Sequence, residues 1–450
     1  MQSLAWSGNR ALRNVARTPH RRASALVLKC SWSNKGGGNR KKMEKDFRVA
    51  TYNVLCSHLA EPTRFPQCSP KNLDAPTRLK RVKHKLDAEI SQGSVICLQE
   101  VGLAWAGDLH VYFMSRGYSF VTATYGHYHN NYMGVALAWP LDKYECLDVD
   151  ITRVADTRKW GREPRQDRQV REAKLAAAGA AAGAAAGSAA AAPAEPEAAE
   201  WGGPLGILMR LTGRGVKRPR GASNISGNNS GGGGEPQAPR RPPRDPENPW
   251  QVAERRFNQV LFARLRSKDA ASAELPSGGT FCVGTYHMPC LFNIRPVMVM
   301  HTSLVIKHLA KLAGSDPLVF AGDFNFNPDS DCYKLAVQGD LSDSSGDFPV
   351  RPEWEKGWSP KTGVTLESAY KQVDGKEPDF TNNAKVEDWD PFIDTLDYIF
   401  HTTGITATKV LPLKHRSEVN GPFPIAEEPS DHVLLAAEYK INRGGPAEDA

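Results

Sequence analysis

Six short segments of this 450-residue sequence share one pattern, an apolar run that stops at a carboxylate, an amide or an imidazole. Thr51-Tyr52-Asn53-Val54-Leu55 presents Asn53, and Ile96-Cys97-Leu98-Gln99-Glu100-Val101 presents Glu100. Gly284-Thr285-Tyr286-His287 ends on His287, and Val319-Phe320-Ala321-Gly322-Asp323-Phe324-Asn325 carries Asp323 and Asn325. Thr395-Leu396-Asp397-Tyr398 supplies Asp397, and Ser430-Asp431-His432 supplies Asp431 and His432. A charge placed directly after an apolar strand is costly to bury unless it is paired, hydrogen-bonded or bound to a metal. One such residue is an ordinary strand end. Six of them converging on one mouth would supply metal ligands, a general base and an imidazole acid.

The elements that must carry these residues are mostly strands. The patterning predicts strands over 47–55, 94–98, 118–122, 134–139, 145–154, 258–265, 281–286, 318–321, 396–401, 407–413 and 432–439. Helical spacing of Leu79, Val82, Leu86 and Ile90 predicts a helix over 76–91, and Pro296 and Gly314 bracket a second one. Strands outnumber helices, yet long helices separate some of them, which points to two packed β-sheets with helices outside. No run of about 18 apolar residues occurs, so no helical membrane span is expected. Eight cysteines without a C-x-x-C pair give neither a disulfide scaffold nor a zinc site. A Walker loop and a Gly-x-Ser-x-Gly elbow are also missing. The stretch from Asp329 lacks the glycine and late glutamate of a calcium loop.

Charge divides the chain. Residues 1–43 hold ten Lys/Arg and no acid, and residues 161–250 hold thirteen against nine. The remainder has 34 basic and 41 acidic residues, so the overall +7 hides a net −7 in the part that looks folded. The basic, Ser- and Ala-containing arm over 1–43 reads as an organellar transit peptide. It implies a mitochondrial or chloroplast destination, with cytoplasm or nucleus the alternative. Residues 161–250 combine an Ala/Gly tract, Gly231–Gly234 and a Pro/Arg-rich end, a composition that cannot bury a core. They read as a disordered insertion within one domain over 44–442, and 443–450 as a tail.

The ordered set Tyr-Asn-Val-Leu, Gln-Glu-Val, His-Met, Gly-Asp-Phe-Asn, Leu-Asp-Tyr-Ile-Phe and Ser-Asp-His resembles the endonuclease/exonuclease/phosphatase superfamily. Thr51–Leu55, and Phe380-Thr381-Asn382 followed by Thr395–Phe400, resemble its deadenylase-like branch of carbon-catabolite-repressor deadenylases, nocturnin and angel. The resemblance implies a four-layer α/β sandwich. It implies Mg²⁺, with Mn²⁺ as substitute, on Glu100 with Asn53, and Asp431 completing a second position. It makes Asp323 the water-orienting carboxylate, His432 an imidazole fixed by Asp397, and His287 a donor to phosphate or leaving group. Asn325, Asn258 and Asn131 become substrate contacts. One departure is Thr285, where the branch carries Asn. The implied activity is Mg²⁺-dependent 3′→5′ hydrolysis of RNA or poly(A), with a phosphatase or phosphodiesterase for a small phosphorylated metabolite as the alternative. The implied partner is single-stranded RNA or that metabolite. No membrane is implied, and no protein partner is inferable.

Replacing residues 165–247 by a short linker is expected to preserve both thermal unfolding and activity, because the composition offers no core contacts and loop length costs little free energy. Aggregation of the shortened chain would show that the insertion belongs to the domain.

Overall fold

The computed structural model describes residues 46–165, 248–275 and 277–442, with isolated positions 169, 173 and 177. The basic arm, most of the insertion and the tail lie outside the described residues. In chain order the elements are β1 (Phe47–Asn53), α1 (Pro70–Leu73), α2 (Ala75–Gln92), β2 (Val95–Val101), α3 (Leu103–Met114), β3 (Tyr118–Thr124), β4 (Gly134–Pro140) and β5 (Tyr144–Arg153). There follow α4 (Pro249–Arg255), β6 (Gln259–Ser267), β7 (Thr280–His287), α5 (Arg295–Ala313), β8 (Leu318–Asp323), α6 (Asp331–Gln338), β9 (Glu367–Ser368) and α7 (Ala369–Asp374). The last are β10 (Asn382–Ala384), β11 (Phe392–Asp394), β12 (Asp397–His401), β13 (Ile405–Val410) and β14 (Leu435–Ile441).

Two six-stranded sheets result, in the orders β13-β14-β1-β2-β4-β3 and β5-β6-β7-β8-β12-β9, with β10-β11 as a small ribbon. Each large sheet is mixed. It holds one parallel pair, β1 with β2 and β7 with β8, among antiparallel neighbours. A helix bridges each parallel pair, as a crossover requires. The Asp74 side chain caps α2 by accepting from Thr77 N, and left-handed Gly93 (φ 68°) ends it.

Three apolar layers lie between four structural layers. Val49, Val95, Cys97, Val135 and Leu137 of the first sheet meet Leu261, Ala263, Val283, Val319, Ala321 and Ile399 of the second. The other face of the first sheet packs Tyr52, Ile96 and Leu98 on Leu79, Val82, Leu86 and Phe113 of α2 and α3. The other face of the second packs Phe262, Tyr286 and Phe320 on Val297, Val305 and Leu309 of α5. The central strands are therefore buried on both faces, which is why β2 and β8 read as apolar runs, whereas β1 alternates in sequence although it too is buried throughout. The expected four-layer sandwich is the observed fold. Among the described residues no helix is long and apolar enough to cross a membrane.

The insertion is shorter at its carboxyl end than the expected 161–250. Asn248 caps α4 by accepting from Trp250 N, and Trp250 is buried edge-on against Trp358 at 5.4 Å. Trp250 closes the Pro/Arg-rich stretch in sequence, yet its large apolar ring is buried in the core. At the other end Gly161 N donates to Glu355 Oε1 (2.8 Å).

Arg78 of α2 is fully buried. Its guanidinium donates to Pro429 O (2.7 Å), Val54 O (2.6 Å) and Leu55 O (2.7 Å), and lies 5.1 Å from the Trp105 ring. It thereby clamps the exit of β1 to the segment that precedes Asp431 and His432. Arg78→Met should strand three carbonyls and cost about 3 kcal/mol or more, measured by urea denaturation. A change below about 0.5 kcal/mol would mean that water replaces the guanidinium.

Candidate active site

Strand parity builds the site. Residues 49, 51 and 53 of β1 point one way, and Val49 points into the space between the sheets. Asn53 therefore points there too. The same parity carries Val283 to His287 on β7, Val319 to Asp323 on β8 and Ile399 to Asp397 on β12. Register then lines them up: His287 pairs with Asp323, and Asp323 with Asp397. Glu100 follows a different rule. The β2–β4 register shifts between Leu98 and Val101, and Glu100 takes a left-handed backbone (φ 59°). This irregularity re-aims a side chain at the rim of a sheet.

One layer deeper, the Gln99 amide donates to Thr51 Oγ1 (3.0 Å) and to Thr285 Oγ1 (3.0 Å). Thr285, the departure from the branch pattern, is thus a fully buried link between the sheets.

The polar groups converge. Asn53 Nδ2 donates to Asp323 Oδ2 (2.9 Å) and Glu100 Oε1 (3.2 Å), so one amide bridges carboxylates from both sheets. Leu55 N donates to Asn53 Oδ1 (3.0 Å), which fixes the amide orientation. The Asn53 oxygen thus accepts one backbone hydrogen bond and keeps a second lone pair, while its donors face the carboxylates. Cys56 N donates to Glu100 Oε2 (2.9 Å), and Asn325 N to Asp323 Oδ1 (3.0 Å). His432 Nδ1 lies 2.7 Å from Asp397 Oδ2, while His432 Nε2 and His287 Nε2 lie 3.7 and 3.5 Å from Asp323 Oδ2. Asp397 is held from behind, where Thr381 Oγ1 accepts from the Leu396 and Asp397 amides (2.8 and 2.9 Å).

Burial opposes charge on His432, but the carboxylates of Asp397, Asp323 and Asp431 outweigh it and hold the imidazole well above its usual range. Burial also pushes Asp397 and Asp431 upward, against the His432 cation.

Glu100, His287, Asp323, Asn325, Asp431 and His432 line one cavity of about 50 Å³. Its opposite wall is apolar, with Leu55, Val386 and Phe392. Arg64 also lines it, and the buried Arg64 Nε has no hydrogen-bond partner. Sequence reasoning missed Arg64, which sits in a Pro/Thr loop without periodicity, and it missed Arg78, which looks like one more surface cation of a basic helix. Asn258 and Asn131 do not line this cavity. Asn258 donates to His287 O (2.7 Å) and so positions the β7 end. Asn131 Oδ1 and O accept from Ala104 N and Leu103 N (both 2.9 Å), capping α3 from outside.

Asp323, Asp397 and His432 each bring one ligand-type atom within 4.8 Å of the others, so this buried cluster could hold a divalent ion. The donor set around the cavity favours a hard one. Burial and the Glu100 charge push the Cys56 thiol to about 12, and burial and Asp323 push Cys290 well up. Raised in this way, the thiols are poor donors beside the carboxylates of Glu100, Asp323 and Asp431, whose oxygens suit a hard cation.

The sequence profile of the Endonuclease/Exonuclease/phosphatase family matches residues 50–432. The 2′,5′-phosphodiesterase 12 of Rattus norvegicus is 27% identical over 172 residues, 36% of this chain and 27% of that protein. The CCR4-Not complex 3′-5′-exoribonuclease subunit Ccr4 of Aspergillus niger is 35% identical over 133 residues, 28% of this chain and 19% of that protein. The chain thus matches about a fifth to a quarter of the length of these relatives. A crystal structure of ANGEL2, described as a 2′,3′-cyclic phosphatase, superposes with a TM-score of 0.55 at 17% identity over 87% of this chain and 94% of that one, a likeness of fold. Since the profile runs from Ala50 in β1 to the His432 that Asp397 holds, the chain belongs to the endonuclease/exonuclease/phosphatase family, whose members hydrolyse phosphoric esters.

Proposed function

We propose that this chain is a Mg²⁺-dependent phosphodiesterase that removes nucleotides from the 3′ end of RNA, poly(A) included. The observation that carries the proposal is the Asn53 amide. It locks Asp323, flanked by two imidazoles, against Glu100 of the opposite sheet. Glu100 and Asp431 would hold Mg²⁺, which when bound neutralises charge on the phosphoryl oxygens. Asp323, its orientation set by Asn53 and by the Asn325 amide, orients the attacking water and takes its proton. His432, charged and steadied by Asp397, faces an equatorial phosphoryl oxygen. Asn325 gives one amide hydrogen to Met288 O (2.9 Å) and keeps the other for the phosphate. His287 Nδ1 is buried without a partner, a free group for the phosphate or the leaving oxygen.

The similarity to an exoribonuclease subunit supports RNA as the substrate. A specific observation favours the small-metabolite reading as second: the cavity presents the unsatisfied Arg64 Nε, a cation for an additional phosphate charge.

Oligo(A), mixed-sequence RNA, single-stranded DNA and a nucleotide 2′-phosphate should be compared with and without metal. RNA hydrolysis should stop in excess chelator and return with Mg²⁺ or Mn²⁺. Turnover of the 2′-phosphate alone would select the second reading, and undiminished hydrolysis in chelator would remove the metal from the mechanism.

Asp397→Asn keeps the shape and removes the charge beside His432. It should lower kcat on the order of 10²-fold or more, with thermal unfolding almost unchanged because the swap is nearly isosteric. Wild-type turnover in this variant would reduce Asp397 to a strand-end residue of the fold.

A further inference from the structure

Beside the cavity, on its Glu100 and His287 side, lies a cluster of exposed rings. The loop over 125–133 joins β3 to β4 and carries His127, Tyr128, His129 and Tyr132, all exposed, Tyr128 to 83%. Phe257, between α4 and β6, is 49% exposed and stands edge-on to His127 with ring centroids 5.0 Å apart. His127 and His129 stack at 5.8 Å. The Arg153 guanidinium sits 5.6 Å from the Phe257 ring, and exposed Arg255 is two residues from Phe257.

The loop is knit from within. Tyr132 N and Asn130 N donate to His127 O (2.9 and 3.1 Å), Met133 N to Asn130 O (3.1 Å) and His127 N to Asn130 Oδ1 (2.7 Å). Asn131 and Tyr132 both take left-handed backbones, φ 53° and 50°. Two ties fix the cluster to the site. Cys56, whose amide holds Glu100, donates its thiol to Asn130 O (3.2 Å). Asn258, next to Phe257, holds His287 O.

Five rings left in water on a fixed backbone forgo burial that each could gain elsewhere, and such a patch marks a contact surface. Rings with guanidinium groups suit the π-faces of unpaired bases, a contact that tolerates any sequence. The cations stand out in a folded part whose net charge is −7. We propose that His127, Tyr128, His129, Tyr132 and Phe257 form a stacking platform for unpaired nucleotides of single-stranded RNA upstream of the phosphate held in the cavity. This platform rests on the ribonuclease reading above.

The test uses the full chain and a fluorescein-labelled ten-nucleotide oligo(A) in EDTA at fixed salt, followed by fluorescence polarisation. Tyr128→Ala with Phe257→Ala should raise Kd between tenfold and a hundredfold, on the order of tenfold per ring. Tyr128→Phe with Phe257→Tyr keeps the rings and should bind like wild type. In Mg²⁺ the alanine pair should lose most of the gain in kcat/KM that wild type shows between dinucleotide and decanucleotide. Should the alanine pair unfold at lower temperature, Tyr128→Ser, at the most exposed ring, replaces it. Unchanged RNA affinity in a normally folded ring-deleted variant overturns the platform, as it would if the rim served a protein partner. Failure of wild type to hydrolyse any oligonucleotide would overturn the ribonuclease reading, whereas the metal-free binding comparison still decides the platform.

Discussion

The polar groups of the site occupy the same strand faces as the apolar side chains that join the two sheets. Val49 leads to Asn53, Val319 to Asp323 and Ile399 to Asp397 at two-residue steps. Charge is thereby placed at the end of a dry layer, and Asp323 and Asp397 are each only 1% exposed. A carboxylate there must find donors within the protein. Asn53, His432 and the backbone amides of Cys56 and Asn325 are such donors, and they fix oxygens of Asp323, Asp397 and Glu100. The Thr51–Gln99–Thr285 link under this layer keeps the sheets in step, so the distance between Glu100 and Asp323 follows from core packing.

Where parity fails to aim a residue, the backbone is bent instead. Glu100 and Asn325 take left-handed conformations of φ 59° and 51°. Both are non-glycine residues at the cavity, where such strain is held by surrounding contacts. Cys56 N fixes the Glu100 carboxylate, and Met288 O fixes the Asn325 amide.

Much of this was legible from residue order. Strands β1, β2, β7, β8 and β12 were visible as apolar runs with polar ends, and their end residues are those that the structure gathers. Helix α3 was not visible, because Leu103, Val111 and Met114 on its exposed side erase the amphipathic contrast. The two- and three-residue strands β9, β10 and β11 are too short to show a period. Arg78 and Arg64 escaped for a shared reason: pattern reading assigns cations to the surface, and only tertiary packing reveals three carbonyls around one guanidinium. Asn131 and Asn258 each brace neighbouring backbone outside the cavity lining, and Asn131 Nδ2 also faces the His58 ring, placements that depend on where neighbouring chain segments end.

Strand β14 lies between β13 and β1, so the edge of β1 stays open until the ribosome has passed Glu438. Arg48 and its β14 partner Glu438 are 390 residues apart, a delay of roughly 20–80 s at translation speeds of about 5–20 residues per second. During that window Arg48 can already grip Glu89 of α2 through two bonds of 2.8 and 2.9 Å, and a charge on an unpaired edge discourages association with other nascent chains. The segment between Arg165 and Asn248 lengthens the wait. Each residue added there extends the interval during which Arg48 guards the open edge of β1.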